Sequence, residues 1–468
     1  MTLNKKILAA AIVGGLFAAN AQAQVVLSPS GSVTDPVTFA SELVIPGSGS
    51  LTLTNAANAL DLTTNLRYSF SEGEVRYARI ECPTNIRFAT GAVTGSGGAT
   101  FGAINGLGTS VITFSITAGA GNPSPTNAAS TITVSGNRSI TSTAPGACSY
   151  SLYDEPSQAL AGGTAGRITT VSGNYLAFAT SYTLSAVATG AVANVEASPS
   201  FSRFVSAAPT SSPDRASLGN VTFALRTAPT PLIANGTAAT LATLLAAGSN
   251  HVVTGDFANA ANADGTFTGA ALARVFFGNA DCSVSAVAAN VVTATSARFN
   301  TGNAAVGATL CYAPRSGVAI PVSTYTQTFN AVSADTALYA VSNLGPVNLG
   351  SITRNGTSLQ APFVQVPAGW LSRIVLTNTG SVARPYTVTA QTETGVTSTL
   401  GAGASGSIPA NGTIVLNTSD IATFTGATRG TLNVTVAGPN NDIQGLYQIV
   451  NGATGSIANT ALVRPGTN

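Results

Sequence analysis

The sequence predicts an all-β protein of tandem β-sandwich domains of the immunoglobulin-like kind, behind a cleaved signal peptide. Two observations predict the all-β class. Only 8% of the 468 residues are charged, which leaves few residues for long amphipathic helices. Short runs such as SVITFSITAG, GTIVLNTS and GTLNVTV stand between Gly, Asn and Pro, a pattern typical of strands joined by tight turns. We expect strands throughout, with GTAATLATLLAAG as one short helix.

The amino-terminal segment 1–23 has the three parts of a secretory signal peptide. Lys5 and Lys6 precede an apolar run, and the small-x-small triplet 21–23 precedes the expected cleavage site before Gln24. The apolar run is shorter than the roughly 20 residues that a membrane-spanning helix needs. Cleavage is therefore favoured over a transmembrane anchor, and we expect the mature chain to be exported from the cytoplasm.

The mature chain has no net formal charge and no lysine. Two of the 19 basic residues are Lys5 and Lys6, so the mature chain keeps 17 arginines against 17 acidic residues. Zero net charge promotes association, and lysine commonly protects exposed sheet edges from pairing with another chain. This composition favours contacts between copies of the chain. Compositional drift in an exported protein is the alternative explanation.

Changes in composition divide the mature chain into three predicted β-domains. We place the first domain at 24–205 and the second at 206–358. A Pro-, Ser- and Ala-rich segment over 197–217 is interpreted as the connection between them. Over 359–468, short strand-like runs alternate with turn signals such as NTG, ANG and GPNN, which predicts an immunoglobulin-like carboxy-terminal sandwich.

Four cysteines in an exported chain predict disulfides rather than a metal site. Of the three possible pairings, we favour Cys82 with Cys148 and Cys282 with Cys311, because each pair then lies within one unit of a weak repeat. ARIEC and ARVFFGNADC each end in a cysteine, and each is followed by a second cysteine and then by LGNVT or LGSIT. The repeat predicts that the first two domains are related by duplication, with chance similarity as the alternative.

The sequence does not predict catalysis. His251 is the single histidine, and a lone histidine beside VVTGDF is typical of a strand or loop residue rather than of a general base. Neither a GxSxG nucleophile elbow nor a phosphate-binding loop occurs in the sequence, and no basic stripe suits nucleic acid. We therefore predict no catalytic residue, no cofactor-binding residue and no nucleic-acid partner.

Acidic residues give the candidates for a metal site. Glu72, Glu74 and Glu81 lie in SEGEVRYARIEC, and Asp154 and Glu155 lie in YDEP. Carboxylate oxygens suit Ca²⁺, so calcium is the ion to test at these five residues. Arginines lie close to the same acids in the sequence, and surface ion pairs are the favoured interpretation. A glycosidase pair of carboxylates is the least favoured alternative.

The segment LGSITRNGTSLQAPFVQVPAGWLSRIVLTNTGSVARPYTVTAQTETG at 349–395 resembles the carboxy-terminal part of large bacterial cell-surface proteins, including S-layer-like proteins of Gram-negative bacteria. The Ala-, Gly- and Thr-rich composition without lysine in the mature chain is also similar to that of S-layer proteins. The resemblance implies a location at the cell surface and a structural role. The chain contains neither an S-layer-homology anchor repeat nor an acidic calcium-binding nonapeptide array.

We therefore predict a secreted, structural cell-surface protein that self-assembles into an S-layer-like coat. The alternative is an adhesin, or a fimbrial or filament component, that binds a surface ligand, since disulfide-bearing sandwiches also build such proteins. The predicted partner is a second copy of the chain. A cell-envelope glycan or lipopolysaccharide is the second predicted partner.

Overall fold

The structure is a computed structural model that describes residues 25–27, 36–47, 49–121, 124–207, 209–210 and 212–464. The predicted signal peptide and its cleavage site lie outside these residues. Strands dominate the described residues, and the helices are short, which confirms the predicted all-β class. The segment Val111–Thr117 shows why: its sequence VITFSIT buries every second side chain, as expected for a strand with one face on the core.

The first group of strands ends at residue 179 and includes one helix, Pro156–Ala161 (α1), and one 3₁₀ turn, Ala56–Asn58. Its strands are Val25–Leu27 (β1), Val37–Ala40 (β2), Leu51–Leu53 (β3), Leu62–Asn65 (β4), Val75–Glu81 (β5), Ile86–Phe88 (β6), Ala92–Gly95 (β7), Thr100–Phe101 (β8), Val111–Thr117 (β9), Thr131–Ser135 (β10), Arg138–Ile140 (β11), Gly146–Tyr153 (β12) and Arg167–Ala179 (β13). They form three sheets in the orders β1-β4-β10-β7, β3-β11-β6 and β2-β13-β12-β5-β9-β8.

The second group contains the helix Leu241–Leu244 (α2), inside the segment predicted to be helical, and the 3₁₀ helices Ala258–Ala260 and Gly269–Arg274. Its strands are Tyr182–Val187 (β14), Thr189–Ala193 (β15), Ala216–Leu225 (β16), Asn250–Thr254 (β17), Val275–Gly278 (β18), Ser285–Ala288 (β19), Val291–Val292 (β20), Ser296–Phe299 (β21), Val306–Tyr312 (β22), Ser323–Asn330 (β23) and Leu344–Arg354 (β24). The two sheets have the orders β14-β16-β22-β18-β19 and β15-β24-β23-β17-β21-β20.

The third group contains the helix Thr418–Ile421 (α3) and the 3₁₀ helix Ala402–Ala404. Its strands are Thr357–Gln365 (β25), Trp370–Asn378 (β26), Arg384–Gln391 (β27), Thr397–Leu400 (β28), Ser405–Ile408 (β29), Gly412–Asn417 (β30), Ala422–Thr425 (β31), Arg429–Val436 (β32), Ile443–Asn451 (β33) and Ile457–Ala461 (β34). Sheets β25-β32-β27-β29 and β30-β26-β33-β34 form the sandwich, and β28 pairs with β31.

The change from the first to the second group of sheets occurs at residues 180–181, before the boundary predicted at 205. Strands β14 and β15 belong to the second group because they pair with β16 and β24. Most buried apolar side chains of the first two groups form one continuous core, and Phe276 with Cys282 and Cys311 forms a small separate cluster. The third group has a core of its own. The division into three domains remains a proposal.

The phrases LGNVT and LGSIT both lie in the second group, on the two facing strands β16 and β24. Gly219 and Gly350 have φ angles of +124° and +138°, and each lies at a shift in strand register. A Cβ atom on Gly219 would collide with the Leu349 carbonyl, and one on Gly350 with the Thr189 carbonyl. The phrase therefore marks two bulges where backbones approach closely. The hypothesis that the first two domains arose by duplication is then supported by the cysteine-bearing phrases alone.

Each disulfide joins neighbouring strands, with the pairing that the sequence favours. Cys82 follows β5 and is bonded to Cys148 on β12, at a sequence separation of 66. Cys282 follows β18 and is bonded to Cys311 on β22, at a separation of 29. By a chain-entropy argument, closing loops of such length stabilises the fold by about 4 kcal/mol each.

Candidate assembly surface

Three of the five acidic residues predicted as calcium ligands lie against an arginine. Arg76 forms an ion pair with Glu74, and its Nε lies 3.4 Å from Oδ1 of Asp154. The guanidinium of Arg79 lies 3.0 Å from Oε2 of Glu81. The local sequence explains the contact between Arg79 and Glu81, since alternate residues of β5 project from the same face of the sheet. This arrangement corresponds to the surface ion pairs favoured from the sequence.

Glu74 is the most firmly held of these carboxylates. Burial alone would raise its pKa, but hydrogen bonds from the Ser71 amide and the Tyr68 hydroxyl, together with the charge of Arg76, hold the pKa of Glu74 below its usual value. The carboxylate oxygens lie 2.6 Å from the Ser71 nitrogen and 2.8 Å from the Tyr68 hydroxyl. The ionised carboxylate is thus neutralised by the protein itself.

The remaining two calcium candidates occupy local turns. Glu72 is exposed beside the Ser71–Glu74 turn, and Glu155 precedes α1, where its backbone N–H donates to the Gln158 side chain. Among the described residues, no three or more His, Cys, Asp or Glu side chains are grouped so that they could hold a metal ion. Calcium at these acids stays a prediction.

His251 is a core residue of β17. Its ring is fully buried and packs against Phe223, Phe277 and Phe329, with centroid distances of 5.3, 6.0 and 4.9 Å. Its Nδ1 lies 2.6 Å from Nε2 of Gln327. Burial lowers the pKa of His251 to about 4, so the ring is neutral at neutral pH. Enclosed by aromatic rings, it is not placed to act on a substrate in solution.

A groove of about 560 Å³ lies beside α1. Its lining includes Tyr77, Asn105, Thr113, Ser115 and the exposed Leu160. An aromatic ring next to hydroxyl and amide groups suits a ligand that offers both apolar and hydrogen-bonding faces. None of these residues was a candidate from the sequence, because the groove combines separate strands with a helix.

Several sheet edges are covered by the chain itself. On β2, the Ala40 N–H donates to the Leu232 carbonyl. On β15, the Val192 carbonyl accepts from the Val205 N–H. On β25, Gln360 exchanges backbone hydrogen bonds with Val463 at 2.7 and 2.8 Å. These contacts satisfy backbone groups that would otherwise be open to another chain.

Strand β34 is an edge strand of its sheet, and no segment of the described residues covers it in this way. Among the described strands of five or more residues, it is the one in which every residue is exposed. Its sequence IANTA has no charged residue, Gly or Pro, and its pairing with β33 has no register shift. It therefore lacks the usual features that prevent an edge strand from pairing with another chain.

The flanking hydrogen bonds determine which backbone groups of β34 are open. The Asn451 N–H donates to the Ser456 carbonyl, and the Leu462 N–H donates to the Gly445 carbonyl, both at 2.9 Å. In an antiparallel ladder, hydrogen-bonded pairs alternate with non-hydrogen-bonded pairs. Even-numbered residues of β34 therefore bond to β33, and the N–H and C=O groups of residues 457, 459 and 461 point away from the sheet.

The outward face of sheet β30-β26-β33-β34 has alternating apolar and polar rows. Register aligns residues of neighbouring strands in rows, two of which cross all four strands and one of which crosses β26, β33 and β34. Within the polar row, Arg373 Nε donates to Gln448 at 2.6 Å, and Gln448 Nε2 donates to Asn459 at 2.8 Å. The three rows are Leu371-Val450-Ile457, Asn417-Arg373-Gln448-Asn459 and Val415-Val375-Leu446-Ala461.

The sequence indicates a strand at IANTALV but not its position at a sheet edge. No lysine follows Lys6 in the sequence, which points to unprotected edges in general, but nothing local distinguishes β34 from its neighbours.

Among the described residues, no helix combines the length and hydropathy needed to cross a bilayer.

Comparisons with known proteins identify the family of the chain. Residues 50–453 match the family described as S-layer protein Slr4. No curated protein matches the chain. A solved structure titled BspA_C_mut is 8% identical, and the alignment covers 65% of this chain and 97% of that chain with a TM-score of 0.17; a similarity this low carries no argument.

The family match includes both disulfides and most of the sheets. It also includes residues 349–395, so the resemblance of that segment to S-layer proteins is confirmed. Because the match spans most of the sequence, the chain belongs to the S-layer protein Slr4 family, a family of structural proteins of the cell surface.

Proposed function

We propose that this chain is exported and self-assembles into an ordered coat on the cell surface, and that its role is mechanical rather than enzymatic. The single observation that carries the proposal is the family match over residues 50–453. A surface layer is an array of repeated protein contacts, so a member needs surfaces that bind copies of itself. The open, uncharged edge β34 supports this function.

The proposed contacts depend on apolar burial and backbone hydrogen bonds rather than on long-range charge. After loss of Lys5 and Lys6, the basic and acidic residues balance. Salt screens mainly exposed charges, so added salt should weaken assembly little. Calcium is a separate question: if the carboxylates of Glu72, Glu74 and Glu81, or those of Asp154 and Glu155, bridge neighbouring copies, a chelator should disperse the array without unfolding the protein.

The proposal is tested with the purified mature protein. Light scattering at low and high salt, with and without calcium or a chelator, measures association, and electron microscopy of the same samples shows whether the particles are ordered. We expect ordered sheets or filaments in samples with high scattering. Monomers in every condition, with no periodic coat on the producing cells, would refute self-assembly.

Export is tested on the same preparation. We propose that cleavage before Gln24 removes both lysines, so the mature protein should yield no lysine-containing peptide in mass spectrometry. A peptide that contains Lys5 or Lys6 in the surface-associated protein would contradict cleavage at this site.

A second candidate function is adhesion to a cell-envelope glycan or lipopolysaccharide. The groove beside α1 favours it, because Tyr77 lines the groove together with Asn105, Thr113 and Ser115. Purified lipopolysaccharide should bind the wild-type protein more strongly than Tyr77→Ala. The matched control is Phe363→Ala, which removes an exposed aromatic ring from the third group. Equal binding by all three proteins would remove the support for this candidate.

A further inference from the structure

We propose that β34 pairs antiparallel with β34 of a second copy, around a twofold axis at Asn459. The inference rests on the proposed self-assembly and names the strand that makes one contact. Twofold contacts are the commonest in homo-oligomers. They require a surface that is complementary to itself, and β34 meets this requirement in its backbone, its side chains and its charge.

The backbone is self-complementary because the open N–H and C=O groups belong to residues 457, 459 and 461. In an antiparallel pair centred on Asn459, Ile457 lies opposite Ala461 of the second copy, and Asn459 lies opposite its own equivalent. All three residue pairs then join residues whose backbone groups point outward. Each pair exchanges two N–H···O bonds, so the open groups of these residues on both strands are satisfied.

The same register aligns the side-chain rows. Ile457 ends the row that begins at Leu371, and Ala461 ends the row that begins at Val415. Pairing Ile457 with Ala461 of the second copy joins these two apolar rows into one that crosses the interface. Leu371, Val415 and Ile457 are 43%, 54% and 60% exposed, so this face lies open among the residues that the structure describes.

The polar row is also continuous across the proposed axis. Asn459 accepts a hydrogen bond from Gln448 through Oδ1, which leaves its Nδ2 to donate to Oδ1 of Asn459 in the second copy. No charged residue occurs in Ile457–Ala461, so pairing two copies brings no like charges together along the strand. A second copy of the chain thus meets each requirement of this edge.

Cysteine cross-linking tests the register. Cα atoms of a hydrogen-bonded antiparallel pair are about 5.5 Å apart, within the range of roughly 4.4–6.8 Å that a disulfide spans. Asn459→Cys should therefore give a disulfide-linked dimer on mild oxidation. The native cysteines do not interfere, because all four are in disulfides.

The matched controls are cysteine variants at other positions of β34. Ile457→Cys should not cross-link alone, because two equivalent residues 457 are offset by four residues, about 13 Å along the strand. Combining Ile457→Cys with Ala461→Cys should restore the dimer. The proposed pairing is wrong if Ile457→Cys forms a cross-linked dimer alone. It is also wrong if neither Asn459→Cys nor the double variant forms one.

A charge at the axis provides the second test. Asn459→Lys places two like charges opposite each other, which destabilises cross-strand pairing, and we expect the dissociation constant measured by analytical ultracentrifugation to rise at least tenfold. Thr399→Lys is the control, because Thr399 is exposed on β28 of the same group. Circular dichroism should show both variants folded.

The outcomes separate the two proposals. A wild-type protein that stays monomeric in all conditions contradicts self-assembly itself. If the wild-type protein associates and Asn459→Lys associates equally well, self-assembly stands and the β34 contact is wrong. Loss of association in Asn459→Lys, but not in Thr399→Lys, supports the contact.

Discussion

Replacement of His251 should remove much of the acid sensitivity of the core formed by the first two groups of strands. The ring is fully buried, and its Nδ1 contacts Gln327 Nε2 at 2.6 Å. Either orientation of the Gln327 amide pairs with one tautomer of the neutral ring. Protonation would place a charge among aromatic rings, and burial accordingly lowers the pKa of His251 from 6.5 to about 4.

The lowered pKa of His251 determines both the sign and the size of its effect on stability at low pH. Between pH 6.5 and about 4, the unfolded chain binds a proton at this residue while the folded chain does not, so acid favours unfolding. One pKa unit corresponds to about 1.36 kcal/mol. The free energy of unfolding should therefore fall by about 3 kcal/mol across this window through His251 alone.

The perturbation is the double variant His251→Leu with Gln327→Leu, which removes the titrating ring and also its amide partner, so that no amide is left unpaired. Urea unfolding followed by circular dichroism, repeated at several pH values, gives the free energy of unfolding for the wild-type and variant proteins. Carboxylates titrate in both proteins and cancel in the difference. The variant should lose about 3 kcal/mol less than the wild type between pH 6.5 and 4.

The comparison concerns the pH dependence and not the absolute stability, which repacking of the core will also change. An equal loss of stability in both proteins over this pH window would refute the reasoning. A variant more sensitive to acid than the wild type would refute it as well.

Three further predictions concern stability. Arg138→Leu should destabilise the folded protein by about 3 to 5 kcal/mol, because the fully buried guanidinium donates to several backbone carbonyls, including that of Leu60 at 3.2 Å; an unchanged melting temperature would contradict this role. Replacing both Cys282 and Cys311 by Ala should cost about 3 to 4 kcal/mol in urea unfolding, and an unchanged midpoint would show that the disulfide does not limit stability. Gly350→Ala should lower the free energy of unfolding by more than 1 kcal/mol, because Gly350 has a φ angle of +138° and an added Cβ would collide with Thr189. Gly307→Ala is the control: Gly307 has open space around it, so the loss should be smaller.

Local sequence patterns were sufficient to predict the all-β class and the carboxy-terminal sandwich. Alternation of side chains, as in Val111–Thr117, depends on residues that are adjacent in the chain. The order of the cysteines likewise favoured the pairings Cys82–Cys148 and Cys282–Cys311 that the structure has. The close spacing of arginine and acidic residues in β5 correctly favoured ion pairs there.

Features that depend on distant strands could not be predicted in this way. The change of sheets at residues 180–181 leaves no local signal, because β15 pairs with Gly350–Arg354 of β24, far along the chain. The LGNVT and LGSIT phrases suggested a repeat, but their shared glycines are needed where two backbones meet. The groove beside α1 also joins residues that are far apart in the sequence.

The candidate assembly edge shows this limit most clearly. IANTALV has the residues of a strand, and the sequence by itself determined that much. Whether such a strand lies inside a sheet or at its edge depends on how many neighbours pair with it, and only the tertiary structure decided that β34 pairs with β33 alone. Strand propensity is a property of neighbouring residues, whereas an open edge results from the pairing of the whole sheet, so its exposed N–H and C=O groups leave no local pattern in the sequence.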